Sequence, residues 1–599
     1  MCGIIGYATE TASSDTIDIL LNGLGRLEYR GYDSAGIALH GDTLAVEKRA
    51  GELSVLTESV NPDALNGEVG VGHTRWSTHG PPTDENAHPH TDCSRSIAVV
   101  HNGIIENYAT LRDELEAAGH TFESETDTEV IPHLLEEELS AGRDAEVAFR
   151  RVVDRLDGSY AIAAVLDGDR LFGARESSPL VVGIGDHGRF LASDVPAFIE
   201  YTDRVIYLED GETVAIDGDQ VTVRDREGSE VDKAVDTIDW EPEDAGKSGY
   251  EHFMRKEINE QPTAIRQCLH HRVEELSNSV TVPELNDVTV DEVAGVHLVA
   301  AGTSYHAARY GARLLGERGI PAQAFISSEY NAEAMPIPAG TVVIGVSQSG
   351  ETADTLGAMR SAKRAGADVV AVTNVIESSA ARTADHALYI RAGPEIGVAA
   401  TKTFGSQVVA LSLLASAVTD TVPRGLIEHL RGLPDQIQSI LDTTEAKPIA
   451  EEYVDADAYF FLGRGWNVPV ALEGALKMKE ITYKHAEGFP AGELKHGPLA
   501  LVTADTPVFA TVTKGCAPEK MLGNVKEVEA RDAPVIVVTD IPERVSHYAD
   551  DILEIPSAGD RLTPVLANVQ LQLVSYWVAN FLGRSIDKPR NLAKSVTVQ

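Results

Sequence analysis

Three groups of residues in this 599-residue chain carry side chains that can do chemistry. The first is Ser347-Gln348-Ser349-Gly350-Glu351-Thr352, where the apolar run Val343-Ile344-Gly345-Val346 ends in three hydroxyls and an amide. Placed at a helix start, where backbone N–H groups point outward, such donors can hold a phosphate without a lysine. Hydrogen bonds to a charged group are worth about 1.5–3 kcal/mol each, so three or four suffice. An ordinary Ser/Thr helix cap has the same composition and remains open. The second is Cys2. Once Met1 is removed, one residue carries both an α-amine and a thiol, and the amine can serve as base for its own side chain. A buried free cysteine at a strand start is the alternative. The third is Glu473, Lys477 and Glu480, spaced i, i+4, i+7 and therefore on one helix face. A surface salt-bridge ladder has that spacing too.

These residues need elements to hold them. Val342 to Val346 is short and β-branched, the pattern of a buried parallel strand, and a helix is predicted from Ala353 to Ala365. From Val296 strand, turn and helix alternate: His297 to Ala300, the turn Ala301-Gly302-Thr303-Ser304, a helix to about Arg318, and a strand from Val369 to Thr373. That is a doubly wound parallel sheet, whose ligands bind at C-terminal strand ends, where Thr303, Ser304 and Ser347 to Thr352 fall. The layout repeats. Tyr459 to Gly465 mirrors the strand and glycine turn near Gly302, and Thr341 to Val375 lies over Thr506 to Ile541 at an offset of about 165 residues. There Val512, Thr513 and Lys514 face Ser347, Gln348 and Ser349, so one hydroxyl cup per chain is expected.

Ahead of this pair, the strands Ile37 to Leu39, Ile97 to Val100, Tyr160 to Val165 and Leu180 to Gly183 fit packed antiparallel sheets. Ile238 to Gly249 is polar, with Pro and Gly, and reads as a linker. A helical region begins at Tyr250. His485 to Pro498, rich in Gly and Pro, reads as a shaped loop, and Pro589 to Gln599 would ordinarily be a frayed tail.

A chain of this length exceeds one core and implies about three or four domains. Its 43% hydrophobic content argues against disorder. Val408 to Val418, broken by Ser412 and Ser416, is too short to span a bilayer, and no basic-then-apolar leader is evident, so a cytoplasmic protein is expected. Cys2, Cys93, Cys268 and Cys516 show no CxxC spacing and suggest neither a disulfide framework nor a zinc site. His73, His79, His88, His90 and His101 lack helical i, i+4 pairing and thiolate partners, and no metal or cofactor is expected. Asp and Glu number 93 against 50 Lys and Arg, a net charge of −43, which makes nucleic acid and anionic membranes poor partners. The acidic residues are dispersed, as in Glu136-Glu137-Glu138, and indicate a solvated halophilic surface.

Taken as a set, Cys2-Gly3-Ile4-Ile5-Gly6, Glu28 to Gly36 (EYRGYDSAG), His73 to Gly80 (HTRWSTHG), Asn86 to His90, His101-Asn102-Gly103 and Ser124 to Glu129 resemble the glutaminase domain of class II, N-terminal-nucleophile amidotransferases. The resemblance implies an α+β, αββα domain in which Cys2 forms a glutamyl thioester and Asn102 with the Gly103 N–H forms the oxyanion hole. Arg75 would meet the α-carboxylate of glutamine and Asp127 its α-ammonium. Thr78, His79 and His88 would wall the pocket, Arg30 would lie near the nucleophile, and Trp76 between two active sites; core packing is the other reading of Trp76. The repeated α/β doubly wound modules resemble sugar isomerase (SIS) domains.

Such a domain joined to two SIS domains, with Ser347 to Thr352, Ala471 to Glu480, Gly492 to Ala500 and Pro589 to Val598, resembles the glutamine–fructose-6-phosphate aminotransferase (isomerizing) family. This implies glutamine and fructose 6-phosphate as substrates, a homodimer and no cofactor. Carried over by motif, His496 would open the sugar ring, Glu480 would move the C1–C2 proton beside Lys477, and Lys594 would form a Schiff base. Ser347, Gln348, Ser349 and Thr352 would hold the phosphate, with Thr303, Ser304, Val398 and Ala593 against the sugar. Ala400 stands where the family usually has serine, and Gln599 where it often has Glu. The implied boundaries are 2–240 for the glutaminase domain, 241–284 for linker and connecting helices, 285–425 and 450–588 for the SIS domains, and 589–599 for a tail reaching the synthase site. Rival readings are an amidotransferase with another acceptor, a non-catalytic sugar-phosphate sensor, and an ammonia-dependent deaminase run in reverse.

The charge yields a first test. At about 1 M salt the Debye length is about 3 Å, so self-repulsion of the acidic surface is screened there and strong in dilute buffer. The thermal midpoint followed by circular dichroism should rise from about 0.05 M to about 2 M KCl; a flat response would refute salt adaptation.

Overall fold

Alternation along the strands sets the layers of the N-terminal part. In Ala98–Ile105, Ala98 and Val100 enter one core with Ala161, Ala163 and Val165 of Gly158–Leu166, whereas Val99, Ile162 and Ala164 enter another. The first core is shared with Ile4 and Ala8 of Gly3–Ala8 and Val69 and Val71 of Val69–Arg75, and so lies between an eight-stranded and a six-stranded antiparallel sheet. The second lies beneath helices Tyr108–Ala118, Val130–Ser140 and Ala145–Val153. On the opposite side Asp15–Leu27 packs Leu20 and Leu24 onto Gly70 and Gly72, whose missing side chains let the helix approach. The layering is αββα, as expected.

This computed structural model describes residues 2–9, 15–28, 31, 33–61, 65–76, 80–166, 170–176, 178–238, 247–274, 279–285, 293–332, 337–376, 378–419 and 422–597. The chain divides into two units, Met1–Ala245 with Ser595–Gln599, and Gly246–Lys594. Most of the linker read from the sequence lies outside the described residues.

The second unit contains two five-stranded parallel sheets of the same order. The first runs Ala322–Ile326, Gly295–Ala300, Thr341–Ser347, Asp368–Thr373, His386–Tyr389; the second runs His485–Pro490, Ala458–Gly463, Val508–Val512, Val535–Thr539, Asp551–Glu554. In each, the winding direction reverses between the first and third strands of the module, which opens a crevice at their C-terminal ends. Helices Ala353–Arg364 and Pro518–Glu529 occupy matching places at the repeat offset of about 165 residues. One core runs through both modules: Leu298 and Ile344 of the first sheet, Phe461 and Phe509 of the second, and Ile265, Leu411 and Val565 from the helices Phe253–Leu269, Lys402–Val418 and Gly559–Phe581.

Two local expectations are corrected. The residues read as the turn Ala301 to Ser304 are, from Gly302 onward, already the first turn of the helix Gly302–Gly316, and the first six residues of the supposed loop from His485 form an edge strand, His485–Pro490, parallel to Ala458–Gly463. Pro490 is tolerated because it ends an edge strand. Gly488 is required because a Cβ there would sit 2.6 Å from the Ala471 carbonyl. Among the described residues no helix is long and apolar enough to cross a membrane.

Candidate active sites

Cys2 precedes the strand Gly3–Ala8, which pairs antiparallel with Val69–Arg75 and so brings the end of that strand beside it. The Trp76 N–H donates to Cys2 Sγ at 3.1 Å. Asn102, on Ala98–Ile105, donates from Nδ2 to the Cys2 carbonyl at 2.8 Å. His73 Nε2 lies 3.0 Å from Asn102 Oδ1 and 3.1 Å from the His101 carbonyl. Both are acceptors, so Nε2 carries the proton and the Asn102 amide is turned with its NH2 toward Cys2. Burial drives His73 down to about 3, and it drives the His88 ring stacked on it well below its ordinary range. The two rings are neutral, and His88 is buried, stacked on His73 and accepting the His101 N–H. Burial pushes the Cys2 thiol up, against the Trp76 hydrogen bond and Arg75.

Gly103 has φ +125°, and a Cβ there would meet the Ser159 carbonyl at 1.9 Å, so only glycine can hold that backbone in the sheet. Arg75 is buried within electrostatic reach of Cys2 and Asp127, and Asp127 accepts the Ile105 N–H at 2.7 Å. Cys2, Arg75, Trp76, Asn102, Gly103 and Asp127 therefore belong to one neighbourhood that can hold an amino acid by both charged ends. Arg30, Thr78 and His79 lie outside the described residues. His73 was missed as a site residue although it opens the motif that contains Arg75.

In the first SIS module Ser347 ends the strand Thr341–Ser347, and Thr352 caps the helix Ala353–Arg364 by position only, since its hydroxyl makes no capping bond. That hydroxyl lies 3.1 Å from Ser347 Oγ, which accepts the Gly350 N–H; Ser349 Oγ accepts from Glu351 N–H. Gly350 has φ +69° and admits no Cβ, which would strike Ser378 Oγ at 2.1 Å. The turn is thus a ring of hydroxyls and backbone N–H groups about a helix start, with Gln348 and Ser349 half-buried beside it. The plain capping reading does not hold.

Glu473, Lys477 and Glu480 are not a surface ladder either. Glu473 and Lys477 are wholly buried, on Asn467–Thr482. Lys477 Nζ lies 3.4 Å from Glu473 and 2.6 Å from Glu480. From the other module, Thr303 donates to Glu473 at 2.9 Å and accepts from Lys477 at 3.0 Å, and His306 Nδ1 lies 2.7 Å from Glu473. Burial lowers the Lys477 ammonium, but the two carboxylates outweigh it and hold the charge. Burial pushes Glu480 up despite Lys477, which suits a carboxyl that takes and returns a proton. Thr303 thereby uses its hydroxyl in this network, while Ser304 Oγ accepts from Gln407 at 2.9 Å.

The tail is anchored rather than frayed. Lys594 Nζ lies 2.5 Å from Glu395 and donates to the Gly397 carbonyl at 2.8 Å, beside Val398, whose N–H donates to the Asp587 carbonyl. Ala593 is half-buried next to it. Glu395 and Glu257 were not foreseen; Glu395 lies within the irregular segment 393–401 and accepts the Thr401 N–H, and Glu257 accepts N–H groups of the same segment, which has no periodicity to read. His496 ends the turn Ala491–His496, exposed, and no hydrogen bond or ion pair among the described residues joins it to Lys477 or Glu480.

A cysteine-led pocket with a side-chain amide donor in an αββα sandwich, on one chain with two doubly wound modules of which one carries a ring of hydroxyls at a helix start, defines a class II glutamine amidotransferase fused to paired SIS domains. Family models for a glutamine amidotransferase domain and for the SIS domain match residues 73–200, and 295–417 and 452–580, respectively. Over all of both chains the sequence is 51% identical to the glutamine–fructose-6-phosphate aminotransferase [isomerizing] of Halobacterium salinarum and 48% identical to that of Methanothermobacter thermautotrophicus. The solved C-terminal domain of glucosamine-fructose-6-phosphate aminotransferase from Francisella tularensis matches over its whole length and 57% of this chain, with TM-score 0.54 and 36% identity. The chain belongs to the glutamine–fructose-6-phosphate aminotransferase (isomerizing) family.

Glu257 offers a test of the Lys594 neighbourhood. Its Oε1 accepts the N–H groups of Ile396 and Gly397, and burial with the Glu395 charge raises it to about 7, against Lys594 and Lys402. The folded state therefore binds this proton more tightly than the unfolded chain, so its contribution is full below about 4.5 and is lost as pH rises through about 7. Glu257→Gln keeps the acceptor and removes the ionisation. Its unfolding free energy at about pH 8 should exceed the parent's by about 1–3 kcal/mol, with little difference near pH 4. Equal denaturant midpoints at both pH values would refute the assignment.

Proposed function

We propose that the chain transfers the amide nitrogen of glutamine to fructose 6-phosphate and isomerises the product, giving glucosamine 6-phosphate and glutamate. The observation that carries this reading is full-length identity to relatives of that name on a chain that holds both a Cys2–Asn102–Arg75–Asp127 pocket and a buried Glu473–Lys477–Glu480 network.

With Met1 removed, the Cys2 amine takes the thiol proton and the sulfur attacks the glutamine amide carbon. Arg75 and Asp127 hold the two charged ends of the amino acid. The developing oxyanion receives hydrogen bonds from Asn102 Nδ2 and the Gly103 N–H, with His73 fixing the amide's orientation. The amine passes its proton to the departing nitrogen, ammonia leaves, and water releases glutamate from the thioester. Arg30, Trp76, Thr78, His79 and His88 enclose or support this pocket.

At the second site the phosphate sits in the hydroxyl cup of Ser347, Gln348, Ser349 and Thr352, and Thr303, Ser304, Val398 and Ala593 flank the sugar. His496 moves the proton needed for ring opening. Lys594 leaves Glu395 to condense with the C2 carbonyl, and water is lost. Ammonia, passed on within the protein, replaces the lysine at C2, and Glu480 carries a proton between C1 and C2 while Lys477 holds it charged when it is deprotonated. The nitrogen ends on C2 and the carbonyl on C1, which balances the overall exchange. We further propose that the chain works as a homodimer in the cytoplasm, with neither nucleic acid nor membrane as partner; the net charge of −43 supports the latter.

Product analysis with glutamine, or with ammonia, plus fructose 6-phosphate tests the division of labour. Cys2→Ala should abolish glutamine-driven synthesis and keep ammonia-driven synthesis. Glu480→Gln should lower sugar formation from either nitrogen source by about 10²–10⁴-fold and leave glutamine hydrolysis measurable. Identical losses in both variants would overturn the scheme.

A further inference from the structure

We propose that Cys93, His120, His133 and Glu136 hold one zinc ion in the first unit, at a tetrahedral site separate from the Cys2 pocket. The Cys93 thiol, the two imidazoles and the Glu136 carboxylate each offer one ligand atom, and all four lie within 4.8 Å of one another. Cys93 Sγ is 3.5 Å from His120 Nδ1 and 3.6 Å from His133 Nδ1. Glu136 Oε2 is 3.2 Å and 3.7 Å from the same two nitrogens. A tetrahedral zinc with nitrogen and oxygen at about 2.0–2.1 Å and sulfur at about 2.3 Å requires N–O edges of about 3.3 Å and S–N edges of about 3.6 Å. The four edges fall at or near those lengths.

The far sides of the rings support the same reading. His120 Nε2 is 2.9 Å from Glu137, and His133 Nε2 is 3.8 Å from Glu129. Each imidazole thus faces a carboxylate at both nitrogens, yet a neutral ring has one N–H to offer. Two imidazoliums would place like charges in rings 5.0 Å apart. A metal on Nδ1 removes the conflict: His120 Nε2–H then donates to Glu137, which orients that ligand, while His133 Nε2 keeps Glu129 at 3.8 Å as an electrostatic neighbour only. On binding, the Cys93 thiol proton passes to solvent, and the thiolate and carboxylate offset the dication.

The backbone holds the ligands in advance. Asp92 accepts the N–H groups of Ser96 and Ile97, both at 2.7 Å, which shapes the Cys93 turn, and the Cys93 N–H donates to Glu136 at 3.1 Å. His120 follows the left-handed Gly119 at the end of Tyr108–Ala118 and donates its N–H to Leu115. His133 and Glu136 sit one turn apart on Val130–Ser140. Both histidine side chains are nearly buried, and Cys93 is exposed, which leaves an entry path. Four protein ligands leave no open position, so the ion is structural rather than catalytic. It clamps both ends of the segment from His120 to His133, which carries Asp127.

Metal analysis of the full chain after dialysis from excess zinc should find about one ion per chain. Cobalt substitution should give the thiolate-to-cobalt absorption and the intense visible bands of a tetrahedral site. Both the retained zinc and the thiolate band should be lost in Cys93→Ser, and the zinc also in His120→Asn, with far-ultraviolet circular dichroism unchanged. Wild-type protein that retains no zinc, or a thiolate band that survives Cys93→Ser, would overturn the site. A kinetic consequence rests on the reading of Asp127 above: stripping the metal should raise KM for glutamine several-fold and leave ammonia-driven synthesis unchanged. Stoichiometric metal without that change would retain the site and overturn the clamp.

Discussion

A buried ammonium between two carboxylates fixes the second unit. Lys477 is shielded from water, and such a charge is tolerated only if its partners are close and themselves satisfied. Glu473 meets that condition by drawing on the other module, through Thr303 and His306. The helix Asn467–Thr482 therefore cannot shift against Gly302–Gly316 without exposing an uncompensated charge. A duplicated fold has become unequal in this way: one module supplies the hydroxyl-lined turn from Ser347 to Thr352, and the other supplies the helix that carries Glu480. The pairing is a requirement of specificity more than of stability, since an apolar replacement of similar volume would hold the helices at least as well.

The pocket around Cys2 answers the same constraint by the opposite route. Its supports are neutral. His73 and His88 are kept uncharged by burial; His88 stacks on His73, and His73 donates to Asn102 Oδ1, which leaves the Asn102 amide nitrogen facing Cys2. The charged residues there, Arg75 and Asp127, are the pair that the proposed function sets against the two charged ends of glutamine. Neutral scaffolding for a neutral amide and paired charges for a proton shift are two solutions to one problem, the cost of an unpaired charge in a low-dielectric interior.

These differences explain what could be read from residues alone. Ser347 to Thr352 was legible in part: a β-branched run that stops in hydroxyls marks a strand-to-helix turn, but the composition alone fits a helix cap as well as an anion cup. The spacing of Glu473, Lys477 and Glu480 gave their common face but not whether it was wet or dry, because helical periodicity carries no information on what packs against it. Glu257 and Glu395 gave no signal: their partners are backbone N–H groups in an irregular segment, and Lys594 is 199 residues from Glu395. His485–Pro490 was taken for a loop because Gly and Pro usually break strands, and here the edge position and the approach to Ala471 reverse that rule. Cys93 and its neighbours failed the spacing test for a different reason. Short ligand spacings signal sites built on one turn, whereas this cluster joins residues 27 and 40 positions apart through a strand turn, a helix end and a helix face.

The same interior bears on the acidic exterior. Arg75, Arg175, Lys256, Arg272, Lys402 and Lys477 are buried, but so are Asp92, Asp127, Glu129, Glu212, Glu257, Glu351, Glu395 and Glu473, so burial withdraws both signs together and leaves nearly the whole acidic excess of the composition on the surface. A phosphorylated substrate approaching such a surface benefits from screening by salt, but screening also weakens any ion pair formed with it. The cup resolves the conflict by using no cation. Hydroxyls and N–H groups at a helix start act in direct contact, at about 3 Å, a distance no greater than about one Debye length at 1 M salt, and they lose far less to dissolved ions than an exposed lysine would. Neutral donors at the proposed phosphate site and a strongly acidic exterior are therefore compatible with one another.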